Sequence, residues 1–119
     1  FTDVIERMMP ILLHADQQSG PLPAFVRTMA NRVGGGVYLR REYAIDTRQD
    51  LRDLLRAYAR PVRAICGRQD GMGTIEEHEE IAALAKHGRC SIIEDCGHMT
   101  ILERPQAATA LLRDWLLYN

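Results

Sequence analysis

With 119 residues, 46% of them hydrophobic, the chain is long enough for one small globular domain and a modest core. A formal net charge of −1 excludes the strongly basic balance that would imply a nucleic-acid partner. No apolar run approaches the roughly 20 residues needed to span a bilayer, so no membrane partner is expected.

The start, Phe1-Thr2-Asp3-Val4, lacks the basic residues and apolar stretch of a signal peptide, and a chain beginning at Phe suggests residues upstream. Up to residue 59 the pattern is helical. Val4, Ile5, Met8, Met9, Ile11 and Leu12 recur at helical spacing, with Asp3 near the start. Pro10 is expected to kink or divide this stretch. Gln17-Gln18-Ser19-Gly20-Pro21 is a loop, and Pro23 suits the first turn of a second helix with Phe25, Val26, Met29 and Val33 on one face. Gly34-Gly35-Gly36 breaks it. A third helical stretch carries Tyr38, Leu39, Tyr43 and Ala44. A fourth, capped by Asp50, aligns Leu51, Leu54, Leu55 and Tyr58.

After Arg60-Pro61 the period changes. Val62–Cys66 is a short buried strand, and Thr74 with Glu77 forms a capping box opening a helix to about Lys86. His87-Gly88 ends that helix. Cys90-Ser91-Ile92-Ile93-Glu94 is the second strand. Pro105 opens a last helix with Ala108, Leu111, Leu112, Trp115 and Leu116 facing inward. This order is β-α-β-α, so the two strands are expected to be parallel.

The chemistry-bearing residues follow the strands. Gly67-Arg68-Gln69-Asp70 follows the first, and Asp95-Cys96-Gly97-His98-Met99 the second. Open α/β sheets bind ligands at the carboxyl ends of their strands. An aspartate there can accept the imidazole Nδ1–H and leave Nε2 to take a proton from a nucleophile. Taken singly, an Asp in a turn is usually a turn former, and a His after Gly is usually a surface or hydrogen-bonded residue. Their joint placement on successive strand ends favours the catalytic reading. Asp then His is also the chain order of the last two members of a Ser…Asp…His triad. The first member is missing: the only serines are Ser19 and Ser91, and neither lies in G-x-S-x-G.

Other candidates are weaker. His14, His78 and His87 lie in or beside helices and are taken as surface residues. Cys96 lacks a partner that would mark it as a nucleophile. With Cys66 and Cys90 it makes an odd set, unlike a disulfide framework, and a reducing cytoplasm is the expected location. No ligand spacing suggests zinc, and no metal or cofactor is expected. Arg48, Arg52, Arg56 and Arg60 form a basic stripe, but Asp46, Asp50 and Asp53 are interspersed, as on a solvated face with ion pairs. The glycine triplet follows a helix rather than a strand, which is the wrong context for a phosphate loop.

From Arg60 to Leu117 the chain resembles the C-terminal part of the α/β-hydrolase superfamily. Arg60-Pro61-Val62, Gly67-Arg68-Gln69-Asp70, Ile92 to His98, Leu102-Glu103-Arg104-Pro105 and Leu112 to Leu116 carry the resemblance. It implies an α/β fold in which a helical lid, residues 1–59, precedes a β-α-β-α part of the core, residues 60–119. It assigns Asp70 as triad acid and His98 as base, with nucleophile and oxyanion hole upstream of Phe1. The implied activity is hydrolysis of small esters or related carbonyl substrates by a serine outside this chain, which alone would be inactive. Relatives with an Asp nucleophile act as dehalogenases. The alternative is a non-catalytic binding or interaction module of the same fold. Met8, Met9, Phe25 and Met29 of the lid, with Met99 beside the base, are expected to bound the substrate pocket. Many relatives carry Pro soon after the acid; here Gly71-Met72-Gly73-Thr74-Ile75 predicts a looser turn under Asp70. Two parallel strands are too few for a sheet alone, so the first is expected to pair with the missing N-terminal half or to drive self-association.

Overall fold

The computed structural model describes residues 1–118. The first helix, α1 (Thr2–Leu12), buries Ile5 and Met9, which lie four residues apart on one face. Pro10 does not divide it. The proline stands in the last turn, where its missing N–H costs one bond just before Leu13 turns extended. A 3₁₀ turn over Ala15–Gln17 leads to α2 (Leu22–Val33), with Pro23 in its first turn. Ile5, Met9, Leu13 and Val26 form the core of this segment, with Leu12, Leu22, Met29, Ala30 and Met99 packed against it. Phe25, expected on the same face as Val26, is instead 51% exposed: it stands one residue, about 100°, around the helix from the buried stripe.

Gly34 ends α2 with φ +78, a left-handed conformation that favours glycine, and its N–H donates to the Ala30 carbonyl. The break is one residue wide. Gly35 and Gly36 already belong to α3 (Gly35–Asp46), which buries none of its side chains. Helix α4 (Arg52–Ala57) begins where Asp50 Oδ1 accepts the Arg52 N–H at 2.9 Å. Arg52 pairs with Asp50 and Glu80, and Arg56 with Asp53, so those two arginines of the stripe face carboxylates.

Strands β1 (Val62–Gly67) and β2 (Gly88–Ile93) pair in parallel, from Val62 opposite Gly88 to Gly67 opposite Ile93. Strand β2 starts two residues before the stretch predicted for it. Gly88, expected to end a helix, is its first residue, and a Cβ there would run into the Ala82 carbonyl. Ala82 lies in α5 (Ile75–Leu84), which opens with the predicted capping box: Thr74 Oγ1 accepts the Glu77 N–H at 3.1 Å and Glu77 Oε2 accepts the Thr74 N–H at 2.8 Å. A short helix, α6 (Thr100–Glu103), precedes α7 (Pro105–Tyr118). Ala108 and Leu111 of α7 pack with Ile65, Ile93 and Cys96 in a second core. Leu112 and Leu116, expected to face inward, are 40% and 71% exposed, and neither belongs to a core cluster among the described residues. Arg63 of β1 ties the layers together: it donates to Ser91 Oγ at 3.0 Å and to Asp114 of α7 at 2.6 Å.

The radius of gyration is 15.8 Å, whereas a compact chain of this length would show about 13.5 Å. Among the described residues no helix is long and apolar enough to cross a membrane.

Candidate active site

The two turns beyond the strands are laced to each other before any side-chain chemistry enters. The Arg68 N–H donates to the Ile93 carbonyl and the Gln69 N–H to the Cys96 carbonyl, both at 2.9 Å. Gln69 Oε1 accepts the Cys96 N–H at 3.0 Å. Arg68 forks onto Glu94, with a closest contact of 2.6 Å. Gly67 makes this approach possible, since a Cβ there would collide with the carbonyls of Cys96 and Gly97. Asp95, at φ 51, adopts the left-handed conformation that starts the second turn. Aspartate tolerates this better than most residues.

The lacing brings Asp70 and His98 together. His98 Nδ1 stands 2.9 Å from Asp70 Oδ2 and 3.0 Å from Oδ1. The carboxylate side chain is 4% exposed and the imidazole 44% exposed. Asp70 Oδ1 also accepts the Met72 N–H at 2.7 Å and the Gly73 N–H at 3.0 Å. Burial works to raise the Asp70 carboxyl; the Gly73 N–H, the His98 ring and the Met72 N–H outweigh it and hold the carboxyl below the usual carboxylate range. An ionised Asp70 therefore fixes Nδ1 as the protonated nitrogen of a neutral His98. Among the described residues Nε2 has no hydrogen-bond partner, which leaves its lone pair free to accept a proton.

The turn under Asp70 is tighter than its glycines predicted. Gly71 lies against the end of α1, where an added Cβ would stand 2.7 Å from the Ile11 carbonyl oxygen. With the two N–H bonds onto Asp70, the glycines here serve close approach rather than looseness.

The remaining candidates separate clearly. Cys96 is fully buried, and burial first, then the Glu103 charge, pushes its thiol up to about 11, so it stays protonated and unreactive at neutral pH. Burial does the same to Cys66. His14 departs from the surface expectation: its side chain is 19% exposed and its Nδ1 lies 2.8 Å from Asp16. Of the apolar residues expected near the site, Met9 lies inside the helical core, Met29 and Met99 pack against that core, Met8 is half-buried and Phe25 projects outward. Two large cavities lie elsewhere. One of about 410 Å³ between α4 and α5 is lined by Leu51, Leu54, Leu55, Tyr58, Ile81 and Leu84. The other, about 580 Å³, lies at the amino ends of the strands beside Arg60 and Arg89.

One residue of the site has no local sequence signal for its role. The Glu103 carboxylate is buried and accepts the backbone N–H groups of His14, Gly97 and Met99. Its side-chain destination is set by contacts remote in sequence, although it lies in the Leu102-Glu103-Arg104-Pro105 block.

No protein-family model matches the chain. Two curated proteins from Xenopus laevis, monoacylglycerol lipases abhd6-A and abhd6-B, are each 29% identical over 70 residues, which is 59% of this chain. That stretch spans about a fifth of the length of those relatives (21%). Among solved structures, a malate-bound thermophilic esterase from Thermogutta terrifontis matches 96% of this chain and 43% of its own, at TM-score 0.78 and 24% identity. A membrane phospholipase A described as a bacterial virulence factor matches 98% of this chain and 38% of its own, at TM-score 0.77 and 19% identity. Both are α/β-hydrolases.

Proposed function

Because the chain has the fold of the C-terminal part of an α/β-hydrolase, a helical segment followed by two β-α units, we propose that it supplies the acid and the base of a hydrolytic triad. Asp70 is the acid and His98 the base; the nucleophile, a serine, comes from polypeptide outside this chain. One observation carries this reading: a buried, ionised carboxylate 2.9 Å from Nδ1 of a partly exposed imidazole whose other nitrogen has no hydrogen-bond partner among the described residues. A surface histidine that merely bonds a neighbour has no need of a carboxylate that is itself held by two backbone N–H groups.

The reaction is acyl transfer. His98 Nε2 takes the proton of the serine hydroxyl as its oxygen attacks the ester carbonyl carbon. Asp70 stabilises the imidazolium through Nδ1–H without taking the proton. The imidazolium then protonates the departing alcohol as the carbon–oxygen bond breaks. Water, activated by the same Nε2, cleaves the acyl-enzyme and restores the serine. The substrates are small esters or related carbonyl compounds; the esterase and lipase names of the relatives support that class. Residues 1–59 serve as the lid, with Met8, Phe25 and Met29 as its apolar wall and Met9 behind them, and Met99 beside the base completes the pocket. The free edge of β1 and the exposed side of α7 receive the part of the protein that holds the nucleophile.

The test is the reaction of the full gene product with a fluorophosphonate. Covalent labelling of one serine is expected, slowed by about a thousandfold or more in His98→Gln, with a smaller but large loss in Asp70→Asn. A gene product that never labels, or labels equally fast in His98→Gln, removes the catalytic reading and leaves a binding module of the same fold.

A further inference from the structure

Glu103 is 5% exposed. A carboxylate is costly to bury unless donors meet its lone pairs. Here the donors are three backbone N–H groups: Oε1 accepts those of His14 at 2.6 Å and Gly97 at 3.1 Å, and Oε2 that of Met99 at 3.0 Å. Gly97 and Met99 flank His98, and the His98 N–H itself donates to the Leu12 carbonyl at 2.9 Å. Three consecutive N–H groups around the base are therefore anchored, and every anchor leads to the junction just after α1. The packing repeats the pattern. A Cβ on Gly97 would stand 2.7 Å from the His14 nitrogen and 2.8 Å from the Leu12 carbonyl oxygen. Gly71, beside the acid, meets Ile11 in the same way, and the Met99 side chain packs on the helical core.

We propose that Glu103 is a positioning residue for His98, and that through it the seating of α1 governs whether the imidazole reaches Asp70. This rests on the assignment of His98 as the base. Without the carboxylate, three backbone N–H groups, that of Gly97 buried and those of His14 and Met99 partly so, lose their acceptor, and the turn rotates to find water. The Asp70–His98 contact then lapses even though neither residue has changed. A helical segment lifted from the core does the same by withdrawing His14 and Leu12.

The tautomer of His98 reports this directly. Long-range ¹⁵N–¹H correlation spectra of the full gene product labelled with ¹⁵N-histidine, taken where the imidazole is neutral and assigned with His98→Gln, distinguish Nδ1–H from Nε2–H. The wild type is expected to be mainly Nδ1–H, since Asp70 accepts that proton. Glu103→Gln keeps one carbonyl acceptor but turns an amide NH₂ toward an N–H. It should move the tautomer ratio roughly tenfold toward Nε2–H, and Glu103→Ala should move it further. If both variants melt earlier while His98 keeps Nδ1–H, Glu103 is only structural and the proposal is overturned. A Glu103→Gln variant too unstable for spectroscopy is replaced by His14→Pro, which removes the His14 N–H together with the imidazole beside Asp16, and by His14→Ala, which removes the imidazole only. The ratio should shift in His14→Pro beyond any shift in His14→Ala; equal ratios in the two are also decisive against the proposal. A wild-type protein already in the Nε2–H form sinks the acid–base assignment itself, which separates that failure from the failure of the positioning role.

Discussion

The helical segment and the β-α part are held together by different means. In the first, four buried side chains, Ile5, Met9, Leu13 and Val26, carry the packing, while α3 buries nothing and leaves Leu39, Tyr43 and Ile45 more than half exposed. In the second, backbone holds backbone. The strand ladder, the bonds from Arg68 and Gln69 across to β2 and its turn, and the close approach at Gly67 all fix main-chain atoms. Side-chain packing tolerates substitution by relaxing, whereas main-chain contacts have no slack. Asp70 and His98 sit where main chain is pinned to main chain; of the apolar residues expected near them, Met99 shares the His98 turn, while Met8, Met9, Phe25 and Met29 lie in the helical segment.

That contrast predicts unequal sensitivity to small changes. Gly67→Ala should be the most damaging, with a loss of about 3 kcal/mol or more in denaturant unfolding, because its Cβ has only backbone to displace. Gly20→Ala, with nothing within 4 Å, should fall within about 0.5 kcal/mol of wild type; equal losses at the two glycines would erase the distinction. Met9→Ala should cost about 2–5 kcal/mol through a cavity in the helical core, and Leu39→Ala, 68% exposed, almost nothing.

Acid sharpens the comparison further. The folded state holds the Asp70 carboxyl below its usual range, so its contribution is present above about pH 4 and is lost as pH falls through the lowered value. Unfolding midpoints measured from pH 5 downward should fall more steeply in wild type than in Asp70→Asn. Parallel slopes would mean that the carboxylate is not held as described. The smallest effect is local: Thr74→Ala should cost about 1 kcal/mol by removing the α5 cap, without altering the His98 spectrum.

Much of this was legible along the chain. The change of period after Pro61 marks the passage from helices to β-α units. Thr74 with Glu77 marks the start of α5, and Pro105 marks α7. Pattern reading went astray where a neighbour, or the lack of one, decides. Leu112 and Leu116 carry an inward-facing helical signal but stay exposed and outside both core clusters of the described residues, and Gly88 looks like a helix stop until its pairing with Val62 is seen.

The site divides in the same way. Asp70 and His98 were readable because each follows a strand within a few residues, and the alignment of parallel strands brings their ends side by side. Glu103 as the anchor of the His98 turn was not, nor was the role of the α1 junction. The bond from the His14 N–H to Glu103 joins residues 89 positions apart, and no local period or spacing encodes such a pairing. The sequence by itself determined which groups stand at the strand ends. Tertiary structure alone decided what holds them there, because that depends on backbone donors whose direction exists only once α1, the two turns and α6 have packed.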